Sequence, residues 1–195
     1  MKIRPYAPED LDDLYRIAVL TGDAGADASG RYEAPELLGH VFVAPYTTSA
    51  PDLAFVVADG DGIAGYAIGT HDVRDLESVL AVEWWPQLRG RYPLDAWADK
   101  PERWLVTRIH EPLLTPDDLV DRYPSEFHID LLPRCQGHGL GPSLLNRVLE
   151  VLREAGSTGV HCGVDERNER AIGFYEHQGF ERVVTQNGTL FARAL

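Results

Sequence analysis

The chain is 195 residues long and carries 18 Lys plus Arg against 31 Asp plus Glu, a formal net charge of −13 with histidine neutral. At 44% hydrophobic, 25% charged and 9% aromatic it has the composition of a globular domain, not of a disordered tail, and it is long enough to bury a sizeable core. So large an acidic excess repels a phosphate backbone and an anionic bilayer, which argues against nucleic-acid and membrane partners and leaves any anionic ligand to local donors.

Lys2 to Tyr6 reads as a strand entered directly from Met1, with no apolar h-region behind a basic start. Pro8 then opens a helix whose apolar residues Leu11, Leu14, Tyr15 and Ala18 fall at i, i+3, i+4 and i+7, and Thr21-Gly22 stops it. Gly22 to Gly30 is small, acidic and expected to be mobile, with Asp23 and Asp27 placed to draw a cation to a cleft rim. A second helix is expected from Pro35 to Val43. Leu53 to Ala58 and Ile63 to Thr70 read as strands, joined at Asp59-Gly60-Asp61-Gly62 by the positive-φ residues of a tight hairpin.

Positions 74 to 123 differ from the rest. Pro86, Pro93, Pro101, Pro112 and Pro116 cut them into short pieces, and they hold every Trp of the chain, at 84, 85, 97 and 104. They read as an aromatic-rich helical cap inserted into a single domain spanning 1–195. From Ser125 regular structure resumes: Phe127, Ile129 and Leu131 alternate with Glu126, His128 and Asp130, the period of a strand with one buried face, ended by Pro133. Gly141 to Ala155 is a strongly amphipathic helix with Leu144, Leu145, Val148, Leu149 and Leu152 on one stripe and Gly156 at its C-terminus. Gly159 to Val164 is a strand, Asn168 to Gln178 a helix closed by Gly179, and Phe180 to Thr185 with Thr189 to Ala194 a final hairpin turned at Asn187-Gly188. A strand, helix, strand unit between Phe127 and Val164 requires its two strands to run parallel, so the class is α/β.

Between that strand and helix lies Gln136-Gly137-His138-Gly139-Leu140-Gly141. Three glycines bare the backbone where the free N–H groups and positive dipole end of a long helix point outward, an arrangement suited to phosphate. Tight turns need glycine as well, so the loop has two readings. It is no Walker A loop, since no Lys-Ser/Thr follows, and its spacing and late position do not suit a dinucleotide fingerprint.

With the order of elements around it, this Q-x-x-G-x-G loop resembles that of the GCN5-related N-acetyltransferase (GNAT) superfamily. A second signature agrees: Asn168 at the start of the next helix, then Tyr175 before Gly179-Phe180. The stretch Tyr123 to Pro133 is similar to the acetyltransferase-like C-terminal domain of O-GlcNAcases and its bacterial relatives. The resemblance implies a mixed central sheet with a splayed parallel strand pair and flanking helices. It further implies acetyl-CoA as donor and transfer of the acetyl group to an amine by direct attack in a ternary complex.

Gln136, Gly137, His138, Gly139, Leu140 and Gly141, with Arg170 and its neighbours Arg134 and Arg167, are then the pyrophosphate site, while Ile129, Leu131 and Leu132 pair with the pantetheine arm. An N–H near Leu131 or Leu132 is the expected oxyanion donor. Asn168 either reads the pantetheine or caps its helix, and Tyr175 either protonates the departing thiolate or packs.

A general base is needed because an alkylammonium has a pKa of about 10.4. Glu126, His128 and Asp130 share the polar face of their strand and are the candidates, each with the alternative of a solvated or hydrogen-bonded strand residue; Asp130 can also orient the acceptor. Trp84 and Trp85, with Tyr92, Trp97 and Trp104, are expected to wall the acceptor pocket, against the alternative that the rings give the cap a core of its own. Cys135, His138, His161 and Cys162 follow no metal-site spacing, and no metal is expected. Two cysteines alone, and no apolar run approaching a membrane span, make the expected location cytoplasmic. The expected partner is an amine-bearing small molecule, protein or peptide, with a homodimer as a further expectation. A non-catalytic acyl-CoA-binding or partner-binding module of the same fold is the alternative function.

Overall fold

A computed structural model describes residues 1–186 and 188–195. Its described strands form one mixed sheet in the order β1-β2-β3-β4-β5-β7-β6, where β1 is Lys2–Pro5, β2 Phe55–Asp59, β3 Gly62–Thr70, β4 Ser125–Leu131, β5 Gly159–Gly163, β6 Glu181–Thr185 and β7 Gly188–Ala194. The β4–β5 pair is parallel and the other neighbours antiparallel. The helices are α1 (Leu11–Leu20), α2 (Glu36–Phe42), α3 (Ala44–Ser49), α4 (Val73–Val79), α5 (Trp85–Arg91), α6 (Arg103–His110), α7 (Asp117–Val120), α8 (Leu140–Glu154) and α9 (Glu169–His177). None of the described helices is long and apolar enough to cross a membrane.

Hydrophobic period accounts for most of this. The stripe Leu144, Leu145, Val148, Leu149 and Leu152 of α8 is buried to the last side chain against the sheet, each worth roughly 1.5–3 kcal/mol of gross transfer free energy. Gly156 ends the helix at φ 82° and Gly179 ends α9 at φ 77°. Of the two glycines in the first hairpin, Gly62 takes positive φ, at 104°. The expected turn residue Asn187 lies outside the described residues, although β6 and β7 do pair from Thr185 opposite Gly188.

Three expectations change. The helix expected from Pro8 begins as a 3-10 turn, Pro8–Asp10, and becomes α-helical at Leu11. Helix α3 was not signalled, because Pro45 near its start reads as a breaker where it is in fact a first-turn residue. Gly22 to Gly30 is not a loose acidic rim: Ala28 is fully buried, Asp23 is clasped by Arg31 and Arg167, and Asp27 accepts bonds from its neighbour Ser29. The charge of Asp23 is met by two arginines, while the exposed Asp27 keeps its own.

The segment between β3 and β4 is the expected string of short helices. Its side chains Leu76, Leu80, Trp85, Leu88, Tyr92, Leu105, Val106 and Ile109 belong to the same apolar cluster as Leu37, Val56 and Phe127, so it has no separate core. A consequence is measurable, because every Trp lies in this segment and its fluorescence reports there while far-UV dichroism reports the whole chain. Leu105→Ala, at a fully buried site, is expected to cost about 2–5 kcal/mol with both signals shifting together. A fluorescence transition that moves alone would mean a segment that folds on its own core.

Candidate functional site

Strands β4 and β5 stay paired only at Ser125 opposite Val160 and Glu126 opposite His161. Beyond that they part, while the other edge of β4 remains laddered to β3 as far as Leu131. Just past it the Leu132 N–H donates to the Ala64 carbonyl at 2.9 Å. Since backbone groups alternate sides along a strand, those of Ile129 and Leu131 turn into the gap. The Leu131 carbonyl is met there by the Gln136 Nε2 at 2.8 Å.

A cleft of about 530 Å³ opens on this gap, and Ile129, Leu131, Gln136, Gly137, Gly139, Leu140, Gly141, Asn168, Arg170 and Tyr175 all line it. Gly137 and Gly139 hold φ of 77° and 73°, a conformation that L side chains rarely adopt, and nothing within 4 Å would meet a Cβ at either. The loop therefore leaves its backbone open at the N-terminus of the 15-residue α8. Arg170 donates to the Gln136 Oε1, so Gln136 braces the loop with both ends of its amide and the charge of Arg170 is left uncompensated.

Four expected members of this site are corrected. Leu132 is buried and its N–H is spent on Ala64, so it supplies neither a pantetheine contact nor an oxyanion donor. His138 is exposed on the outside of the loop and does not line the cleft. Arg134 is ion-paired to Asp59 at 2.9 Å, and Arg167 to Asp165 at 2.8 Å and Asp23 at 3.0 Å.

Asn168 caps α9, its Oδ1 accepting from the Ala171 N–H at 3.0 Å, while its Nδ2 lies against Gly25. Tyr175 is buried in a ring of Phe127, Phe174, Phe180 and Phe191 at centroid distances of 5.1 to 5.9 Å, with its hydroxyl on the Cys162 thiol. Burial pushes that phenol well above its ordinary value, so it stays protonated.

A second cleft of about 450 Å³ meets the first at Thr21, Ala24, Gly25, Asp130 and Asn168. Glu126, His128 and Asp130 line it together, as their alternation implied. Tyr46 donates to Glu126 Oε2 at 2.7 Å and Tyr66 to Asp130 Oδ2 at 2.6 Å. Burial would lift the Glu126 carboxyl, but His128, His161, Tyr46 and Arg108 outweigh it and hold it below its ordinary value. For Asp130 burial wins over Tyr66, His128 and Thr21, and the carboxyl is raised. Burial also lowers His128, only partly offset by Glu126 and Asp130, so the ring is neutral at neutral pH. Its Nε2 is buried with no partner among the described residues.

Of the rings expected to wall the acceptor pocket, Trp104 alone lines this cleft, 45% exposed and stacked near Phe42 at 6.0 Å, while Tyr92 and Trp97 do not. Trp84 donates its indole N–H to the His40 carbonyl at 2.9 Å, and Trp85 is a core residue that reaches only a small side cavity. Sequence reasoning weighed His161 only as a metal ligand and passed over Arg108, both of which line the cleft, and also the two tyrosines that hold its carboxylates. His161 is opposite Glu126 in the β4–β5 register, a contact that only the pairing reveals; its Nδ1–H donates to the Tyr123 carbonyl at 2.9 Å. Cys135, His138, His161 and Cys162 do not converge, and no metal-holding group of His, Cys, Asp or Glu occurs among the described residues.

The sequence profile of the Acetyltransferase (GNAT) family matches residues 27–180. Rat Protein O-GlcNAcase is 27% identical over 189 residues, which is 95% of this chain but 20% of the rat protein, so the chain spans about one fifth of that relative. A mycothiol acetyltransferase of Beutenbergia cavernae is 34% identical over 93 residues, 46% of this chain and 31% of that protein. The crystal structure of SsHAT superposes with a TM-score of 0.91 at 35% identity, covering 99% of this chain and 97% of that one. yncA from Salmonella typhimurium, solved with its cofactor acetyl-CoA, shares the fold at a TM-score of 0.57 and 18% identity, covering 100% and 93%.

Asp130 makes the electrostatics testable. Its carboxyl titrates higher in the folded than in the unfolded chain, so its contribution to stability is fully present below the unfolded value and is lost as pH rises through the folded one. Asp130→Asn keeps an acceptor for Tyr66 and removes the buried charge. The variant is expected to melt above wild type at neutral pH, on the order of 2–4 °C, with the difference vanishing near pH 3. A variant no more stable than wild type at neutral pH would show that the charge is not the costly element.

Proposed function

The chain belongs to the acetyltransferase (GNAT) family, and we propose that it is an acetyl-CoA-dependent N-acetyltransferase that moves the acetyl group to an amine acceptor by direct transfer in a ternary complex. One observation carries this reading: the cleft along the parted edge of β4 and the cleft of the acid-base face meet at Asp130 and Asn168. The open glycine loop at the start of α8, with Arg170 beside it, fits a pyrophosphate. Bound acetyl-CoA would supply the activated acetyl thioester.

The chain's own groups then divide the work. The amides of Gly137, Gly139, Leu140 and Gly141 and the guanidinium of Arg170 hold the anionic end, and the gap-facing backbone of Ile129 pairs with the amide-rich arm. With Leu132 committed to Ala64, the Leu131 N–H is the oxyanion donor. Asp130, at the junction with its raised carboxyl, takes the proton from the incoming ammonium, and neutral His128 and Glu126 continue the face behind it. Tyr175 keeps its proton, and its hydroxyl turns from the Cys162 thiol to donate toward the departing sulfur. The acceptor class is a small-molecule, peptide or protein amine, and the two unpaired buried cysteines support a reducing cytosol as the setting.

Calorimetric titration with acetyl-CoA tests the first half, and absence of binding at high micromolar concentration would overturn the proposal. For the second half, Tyr175→Phe is expected to bind acetyl-CoA as wild type does while kcat falls by about 10²-fold or more. Unchanged turnover would remove Tyr175 from the chemistry.

A further inference from the structure

The acceptor cleft holds a cation that the transfer of an acetyl group does not require. Arg108, on α6, lines this cleft and also an adjoining cavity of about 100 Å³. It is half-buried, and its guanidinium carbon lies over the Phe42 ring, 5.4 Å from the centroid. No carboxylate among the described residues comes within the 4.0 Å of an ion pair, unlike Arg134 and Arg167 of the same chain. A guanidinium laid on an aromatic face keeps its planar fork of N–H donors available at the edge. The ring beneath it also packs against His128, at 6.2 Å between centroids, and the His128 Nε2 is one of three buried side-chain polar atoms without a partner among the described residues. Arg108 thus overlooks the stretch of cleft that Glu126 and His128 line, without an ion pair among the described residues.

Resting on the acceptor role given to this cleft, we infer that the acceptor carries a carboxylate as well as its amine, with the carboxylate held by Arg108 and the amine at Asp130. The small cavity that Arg108 shares is lined by Glu126 and His128 but not by Asp130, so the two ends of the acceptor lie apart along β4. An ω-amino acid, whose flexible chain lets its amine and carboxylate adjust to that separation, is the simplest molecule that carries both groups. The anion is a carboxylate and not a phosphate because Glu126 and Asp130 lie on the same wall, where a second negative charge on the ligand is repelled, and because a planar monoanion matches the guanidinium fork.

The test uses ε-aminocaproate and its carboxamide, which share an amine and differ only in the carboxylate, titrated calorimetrically into the full chain in the presence of CoA. Wild type is expected to bind the acid at least tenfold more tightly than the amide, Arg108→Met to bring the two within twofold while acetyl-CoA affinity is retained, and Arg108→Lys to restore part of the preference. Equal affinity of wild type for the two probes, binding of neither, or a preference that survives in Arg108→Met would overturn the inference. Loss of acetyl-CoA binding by wild type is a different result and overturns the transferase reading instead.

Discussion

Everything at the site depends on β4 and β5 being parallel neighbours for two residue pairs and no more. A sheet that opens exposes backbone donors and acceptors that must find partners, and an opening placed at random would be destabilising. Here the loss is contained. Strand β4 keeps its full ladder to β3, and the Leu131 carbonyl is met by the Gln136 side chain. Phe127, fully buried, packs with Tyr175 and Phe180, so the apolar side is sealed at the paired end of β4 and the cleft opens beyond it at Ile129 and Leu131. One backbone feature thereby produces a groove with free amide groups beside a polar face on the same strand. The two clefts are the two sides of that strand's exposed stretch.

Much of this was legible in the sequence. The alternation from Glu126 to Leu131 assigned three polar side chains to one face, and the Q-x-x-G-x-G loop before the stripe of α8 located the open turn, because both depend on local period and on glycine's access to positive φ. What escaped depends on pairing across the fold. The residue opposite Glu126 is known only once β5 is in register, so His161 carried no signal as its neighbour. Arg108 sits on a helix whose apolar residues fix which face is inward, but not that the partly inward arginine overlooks β4. The Trp pair at 84 and 85 misled for the converse reason, since aromatic content marks a segment as packed without saying against what.

The carboxylates of the acceptor face show why their neighbours are tyrosines. Tyr46 and Tyr66 are themselves buried beside those carboxylates, which keeps their hydroxyls protonated as donors. A lysine or arginine in either place would neutralise Glu126 or Asp130 and remove its capacity to take a proton at working pH. A neutral donor satisfies the buried oxygen and leaves the charge in play. The outcome differs along one face, with Glu126 held low by two imidazoles and Asp130 lifted by burial. Residues four apart on one strand can then hold a proton at different pH, as acid-base chemistry near neutrality requires.

The net charge of −13 can be resolved locally on the same terms. Arginines near the glycine loop are mostly spent: Arg134 on Asp59, Arg167 on Asp165 and Asp23, and the second of these ties the Gly22 to Gly30 loop beside Asn168 where the clefts meet. Arg170 is different, because its partner Gln136 is neutral and leaves the guanidinium charge facing the groove. Arg108 is the counterpart in the acceptor cleft, stacked on the neutral Phe42. Both are cations that no carboxylate among the described residues meets within ion-pair distance. Each of the two joined clefts has one, and a bound anion in each would complete the pairing that the fold leaves open.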